Sequence, residues 1–131
     1  MKTITTWKHK HAFQSRLDDN VFDVDGDKTE GPNPKALLLT ALAACSGIDV
    51  VDILEKMRIP FSDLNIDSEA EQTEEHPRVF TDITITFRLR SAEENRDKII
   101  KAIELSLDKY CGVAAMLRKN SAINYTLDLL N

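Results

Sequence analysis

Cysteine, histidine, glycine and proline are all scarce in this chain of 131 residues, with two, three, four and four copies respectively. Two cysteines cannot supply a disulfide framework, and Cys45 and Cys111 stand too far apart for a CxxC redox motif or a zinc-ligand pattern. His9, His11 and His76 form no helical metal pair of the HExxH kind, so neither a metal nor another cofactor is expected. Positive charge is also short. The formal net charge of −5 leaves no basic surface for phosphate backbones, and the brief patch Lys8-His9-Lys10-His11 does not offset it, so nucleic acid is not an expected partner. The opening MKTITTWKHKHAF lacks an apolar signal-peptide core, which points to the cytoplasm, where thiols are kept reduced. No repeat, low-complexity tract or linker divides the chain, and one domain over 1–131 is expected.

What is present is one long apolar stretch, Gly31 to Arg58 (GPNPKALLLTALAACSGIDVVDILEKMR). Asn33 suits a helix cap and Pro34 the first helical position, where its missing N–H goes unneeded. Apolar residues then leave almost no polar face, which predicts a central helix buried on most sides. Asp49 and Asp52 interrupt the run, and a charge at mid-membrane costs about 2.5–3.5 kcal/mol, so a core helix is favoured over a membrane span. Pro60 disfavours helical geometry at Ile59 and ends the element near Arg58.

Around that helix the pattern is mostly β. Residues 2–10, Ala12 to Leu17 and Val21 to Val24 read as strands, the last two joined through Asp18-Asp19-Asn20. After Phe61, Leu64 to Glu71 and Val79 to Arg90 alternate with a period of two, which predicts a long antiparallel hairpin. Ser91 and Glu94 fit a capping box ahead of an amphipathic helix marked by Ile99, Ile100, Ile103 and Leu107. Asp108 is the expected cap of a short helix through Cys111 to Lys119, and Ile123 to Leu129 form a closing strand. Strands in groups with few parallel crossovers give an α+β fold.

Each cysteine has a plain reading as a small hydrophobe in a packed helix. Against it, the two thiols sit on different helices and could face one another. Cys111 would also lie in a first helical turn, where the dipole favours thiolate. Cys45 shares a stripe with Asp49 and Asp52, and an anion one turn away opposes ionisation of a thiol whose ordinary pKa is about 8.5. The dipole does not help Cys45, which lies about 16 Å from the helix start at about 1.5 Å per residue. A reactive Cys45 therefore needs a cation from elsewhere. Arg16 is the first candidate, followed by Arg78, Arg118 and Lys35.

Three segments, GPNPKALLLTALAACSGIDVV, HPRVFTDITITFRL and SLDKYCGVAAML, resemble in order the signature regions of the OsmC/Ohr family, the osmotically induced and organic-hydroperoxide-resistance proteins. CSGIDVVDIL is closer to a less characterised OsmC-like branch. The resemblance implies curved antiparallel sheets around a buried central helix, in an intertwined homodimer whose site draws on both chains. It also implies a thiol peroxidase of the oxidative stress response acting on organic hydroperoxides. Cys45 would become a sulfenic acid, Cys111 would resolve it as a disulfide, and an external dithiol, typically a lipoylated protein in the hydroperoxidase branch, would reduce that. In that branch an Arg from an N-terminal strand orients the thiolate and is held by a Glu just after the Asn-Pro. Here Lys35 stands in the Glu position, and either Arg16 or His11 in the place of the Arg. The second implied function is a small-molecule binding protein or thiol sensor with little peroxidase activity.

Overall fold

A computed structural model describes all residues, Met1–Asn131. The order is β1 (Ile4–His9), β2 (Ala12–Leu17), β3 (Asn20–Asp25), α1 (Pro34–Lys56), β4 (Ser62–Gln72), β5 (Phe80–Arg90), α2 (Arg96–Leu105), α3 (Gly112–Arg118) and β6 (Ala122–Leu130). Two compact units divide the chain, Met1–Leu38 and Leu39–Asn131.

The first unit is a three-stranded antiparallel sheet, β1-β2-β3, followed by a loop. Ile4, Trp7, Phe13, Val21 and Phe22 are exposed on it, and only Ala12, Ser15 and Asp25 are buried. The loop is organised by the Asp25 carboxylate. It accepts the Thr29 hydroxyl at 2.6 Å and the backbone N–H groups of Asp27, Glu30 and Thr29 at 2.8, 3.1 and 3.3 Å. These donors favour the ionised form and hold the Asp25 pKa down at about 2, the Thr29 hydroxyl contributing most.

The second unit carries the core. β5 is the middle strand of β4-β5-β6, and its alternate residues Ile83, Ile85, Phe87 and Leu89 are fully buried. They form one cluster with Leu42, Val50 and Leu54 of α1 and Ile99, Ala102 and Ile103 of α2. On the opposite face of β5, Arg88 reaches both neighbouring strands, donating to Asp128 at 2.9 Å and to Asp67 at 3.2 Å. β4 and β5 are antiparallel as the alternation predicts, but β5 and β6 run parallel in continuous register from Asp82↔Ala122 to Arg90↔Leu130. This sheet is therefore mixed. The segment carrying α2 and α3 supplies the connection that a parallel pair requires.

α1 begins as expected, with the Asn33 side-chain carbonyl accepting the Ala36 N–H at 2.9 Å. Its end is a Schellman closure: Ile59 N–H bonds Leu54 at 2.9 Å and Arg58 N–H bonds Glu55 at 3.0 Å. Arg58 takes the left-handed position at φ 59°, and buried Ile59 and Leu54 make up its apolar pair. Two predicted caps differ. Ser91 donates to the Pro60 carbonyl at 2.7 Å instead of closing a capping box, and residues 93–95 form a 3-10 turn before α2. Asp108 caps nothing; it lies inside a π-turn, and Cys111 is the cap of α3.

Two outcomes follow for stability. A left-handed L-residue costs about 1–2 kcal/mol, while glycine's extra chain entropy costs about 0.5–1. Arg58→Gly should therefore stabilise the protein by about 0.5–1 kcal/mol, read as a higher urea midpoint with unchanged slope. For Asp25, the folded pKa lies below the unfolded value, so its contribution is present above about pH 4 and is lost as pH falls toward 2. Melting midpoints should drop over that interval, and Asp25→Asn should flatten the drop; equal slopes would refute the assignment.

Candidate functional site

α1 uses one stripe for the core of the second unit. Leu42, Ser46, Val50 and Leu54, each one turn from the last, are buried, together with Gly47. Leu38 and Ile48 remain 45% and 63% exposed, so a helix that is apolar nearly all round is covered on one side by its own chain. By length and apolarity α1 is also a candidate membrane span, which its part in this core explains without a bilayer. Gly47 marks a close approach, since a Cβ there would sit 2.8 Å from Ile66 Cδ1 of β4. Cys45, two residues earlier, flanks the buried stripe, half-buried against the same core.

Cys111 arrives by a different device. Beyond Leu105 the helical path widens into a π-turn, Ser106–Tyr110, closed by the Cys111 N–H on the Ser106 carbonyl at 2.7 Å. The chain then turns extended at Cys111 (φ −73°, ψ 105°), and its sulfur accepts the Ala114 N–H at 3.3 Å as the cap of α3. Cys111 is 3% exposed and belongs to the same apolar cluster that Cys45 packs against, near enough for each thiol to bear on the other's ionisation. The two cysteines, expected on separate helices, lie beside the same core.

The expected dipole activation of Cys111 is outweighed. Burial pushes its thiol up to about 11, and the neighbouring Cys45 adds to the rise, while the N–H groups of Ala114 and Val113 recover only part. Cys111 is thus held as a neutral thiol beside the more accessible Cys45.

Asp49 joins the pair through a serine. The buried Ser106 hydroxyl donates to Asp49 Oδ2 at 2.9 Å and lies 3.3 Å from the Ser46 carbonyl. Ser46 in turn donates to Leu42 at 2.8 Å. An open cleft of about 510 Å³ starts one turn beyond Cys45 at Asp49, passes Asp52, Ile53 and Met57, and reaches Tyr110 beside Cys111.

Arg118 donates to the Leu107 carbonyl at 3.2 Å and faces Asp108 at 3.7 Å, so it is turned to the π-turn backbone. Arg16 is exposed on β2, paired across the ladder with Ile4 and Val21, and Lys35 is in the first turn of α1; both belong to the first unit. Arg78 lies between β4 and β5. His11, the alternative to Arg16, is 2.9 Å from Asp27, whose carboxylate raises the imidazole pKa. No group of His, Cys, Asp and Glu side chains has metal-binding geometry.

Sequence reasoning missed Ser106 and the π-turn. A serine in an otherwise apolar helical stripe, as at Ser46 and again at Ser106, was the available signal; nothing in SLDKYC announces the widened turn.

An α+β fold with two neighbouring thiols, one on a core helix and one at a capped turn, defines a dithiol protein. A family model described as OsmC-like protein matches residues 25–126, and the chain belongs to that family. It is 41% identical over 101 residues to Protein YhfA of Escherichia coli K12, covering 77% of this chain and 72% of that one. Among solved structures, a hypothetical protein from Aquifex aeolicus is similar at a TM-score of 0.83 with 27% identity, covering 99% and 97% of the two chains. The organic hydroperoxide resistance protein OhrB of Bacillus subtilis shares the fold at a TM-score of 0.65 and 20% identity, covering 98% and 96%.

The unequal thiols should be separable by alkylation. With a pKa of about 11, roughly one Cys111 in a thousand is ionised at pH 8. Limiting iodoacetamide at pH 8 should label Cys45 first, and peptide mass spectrometry showing equal or preferred labelling of Cys111 would contradict this geometry.

Proposed function

We propose that the protein is a thiol peroxidase that reduces organic hydroperoxides through Cys45 and Cys111. The placement of a more accessible sulfur and a buried, un-ionised one against the same core is the observation that carries this reading. The Cys45 thiolate attacks the terminal peroxide oxygen; the O–O bond breaks, the alkoxide takes a proton and leaves as the alcohol, and Cys45 becomes a sulfenic acid. Cys111 then forms the S–S bond, its proton leaving with the sulfenic hydroxyl as water. An external dithiol returns both cysteines to thiols and is itself oxidised to a disulfide. A lipoylated protein in a reducing, cytoplasmic setting suits that last step.

We further propose that the working form is a homodimer with a second copy as occupant of the uncovered apolar surfaces. The first sheet exposes Trp7, Phe13 and Phe22 with almost no core of its own, and α1 exposes Leu38 and Ile48. A small sheet without a packed face is marginal in water, and apolar patches of this kind mark interaction surfaces. An apolar interface that includes Ile48, about one helical turn from Cys45, favours alkyl or aryl hydroperoxides over H₂O₂.

A second reading, a binding protein or thiol sensor, is favoured by the absence of any acidic residue in the first turn of α1, where Lys35 replaces the Glu of the hydroperoxidase pattern. Turnover separates the two. With cumene hydroperoxide and dihydrolipoamide, the wild type should turn over continuously and Cys45→Ser should fall to the uncatalysed rate. Cys111→Ser should consume about one equivalent and leave a dimedone-trappable Cys45. Equal rates for the wild type and Cys45→Ser would remove the peroxidase and leave the sensor.

A further inference from the structure

We propose that Ser106 and Asp49 are positioning residues: a hydrogen-bonded latch that ties the turn bearing Cys111 to the helix bearing Cys45 and so sets how readily the two sulfurs bond. The inference rests on the dithiol reading above. It starts from an oddity of the sequence, an aspartate one helical turn beyond Cys45 on a largely apolar helix. In the structure that carboxylate has a partner: Oδ2 accepts the Ser106 hydroxyl at 2.9 Å.

The connection to the second sulfur is short. The Ser106 carbonyl accepts the Cys111 N–H at 2.7 Å, so the residue that touches Asp49 with its side chain holds Cys111 with its backbone. The path runs from α1 through Asp49 and Ser106 to Cys111 in two hydrogen bonds. Ser106 is fully buried, and its hydroxyl also lies 3.3 Å from the Ser46 carbonyl, the peptide next to Cys45. Both ends of the latch therefore sit beside one of the two cysteines. The segment it restrains is a π-turn, a helical register that ordinary α-helical hydrogen bonding does not enforce.

Holding two reacting groups in place raises their effective concentration, and a buried hydroxyl left without its acceptor is costly, so the bond is a firm restraint. The latch therefore acts on closure of the Cys45–Cys111 bond, whichever oxidant begins it. The hydroxyl donor and the acceptor at residue 49 are what it needs; the negative charge is secondary.

Equilibrium with glutathione measures this without peroxide. Two protein thiols and one oxidised glutathione give one protein disulfide and two reduced glutathiones, and the disulfide is counted by alkylation and mass spectrometry at fixed pH. Ser106→Ala and Asp49→Ala should each lower the closure constant about tenfold, close to 30 mV for this two-electron couple. Asp49→Asn, which keeps a carbonyl acceptor, should stay within about threefold of the wild type. Circular dichroism of each reduced variant confirms the fold, and Asp49→Ala, at a half-exposed site, covers the case where Ser106→Ala does not fold. A closure constant in the two alanine variants equal to or above that of the wild type overturns the latch while leaving the dithiol reading standing. A wild type that forms no Cys45–Cys111 disulfide at any glutathione ratio overturns both.

Discussion

The second unit depends on how one side of α1 is seated. Leu42, Val50 and Leu54 share a single apolar cluster with β5 and α2, and Gly47 removes the side chain that would otherwise collide with Ile66. A buried aliphatic side chain contributes about 1.5–3 kcal/mol, so three of them fix the rotation of the helix firmly. Cys45 has no choice of direction once that rotation is set. It lies at the edge of the buried stripe, half in the core and half open to the remaining apolar surface of the helix.

The same core decides the chemistry of Cys111 against its local surroundings. A helix terminus supplies partial positive charge, and Cys111 does accept an N–H from its first turn. Removing the sulfur from water outweighs this, because burial disfavours whichever form carries charge. The pair is therefore asymmetric by placement, with similar side chains held at different depths.

Much of this architecture is readable from residue patterns. The strict alternation from Val79 to Arg90 announced the central strand and its buried face, and Asn33-Pro34 marked the start of α1 where the Asn33 cap is found. Local patterns failed where a tertiary partner competed for the same atoms. Ser91 has the spacing of a capping box, yet its hydroxyl is taken by Pro60 from a distant segment. Asp108 looks like a cap, but the preceding helix does not stop on an ordinary turn, so the cap falls on Cys111. The direction of β6 was also hidden, because a period of two is the same in parallel and antiparallel strands. The sequence resemblance named the two cysteines; the stripe position of Ser106 was legible, but its partner Asp49, 57 residues away, was visible only once the helices were placed.

The widened turn before Cys111 has a consequence for how such a protein changes over time. One residue more or fewer in a helical segment swings everything after it by about 100° around the axis. Deleting a single codon within Ser106–Tyr110 would therefore move Cys111 together with Ala114 and Ile123, which belong to the same apolar cluster. The length of this turn is thus constrained by packing as well as by the position of the second sulfur. A lineage that changed it would have to rebuild part of the core at the same time.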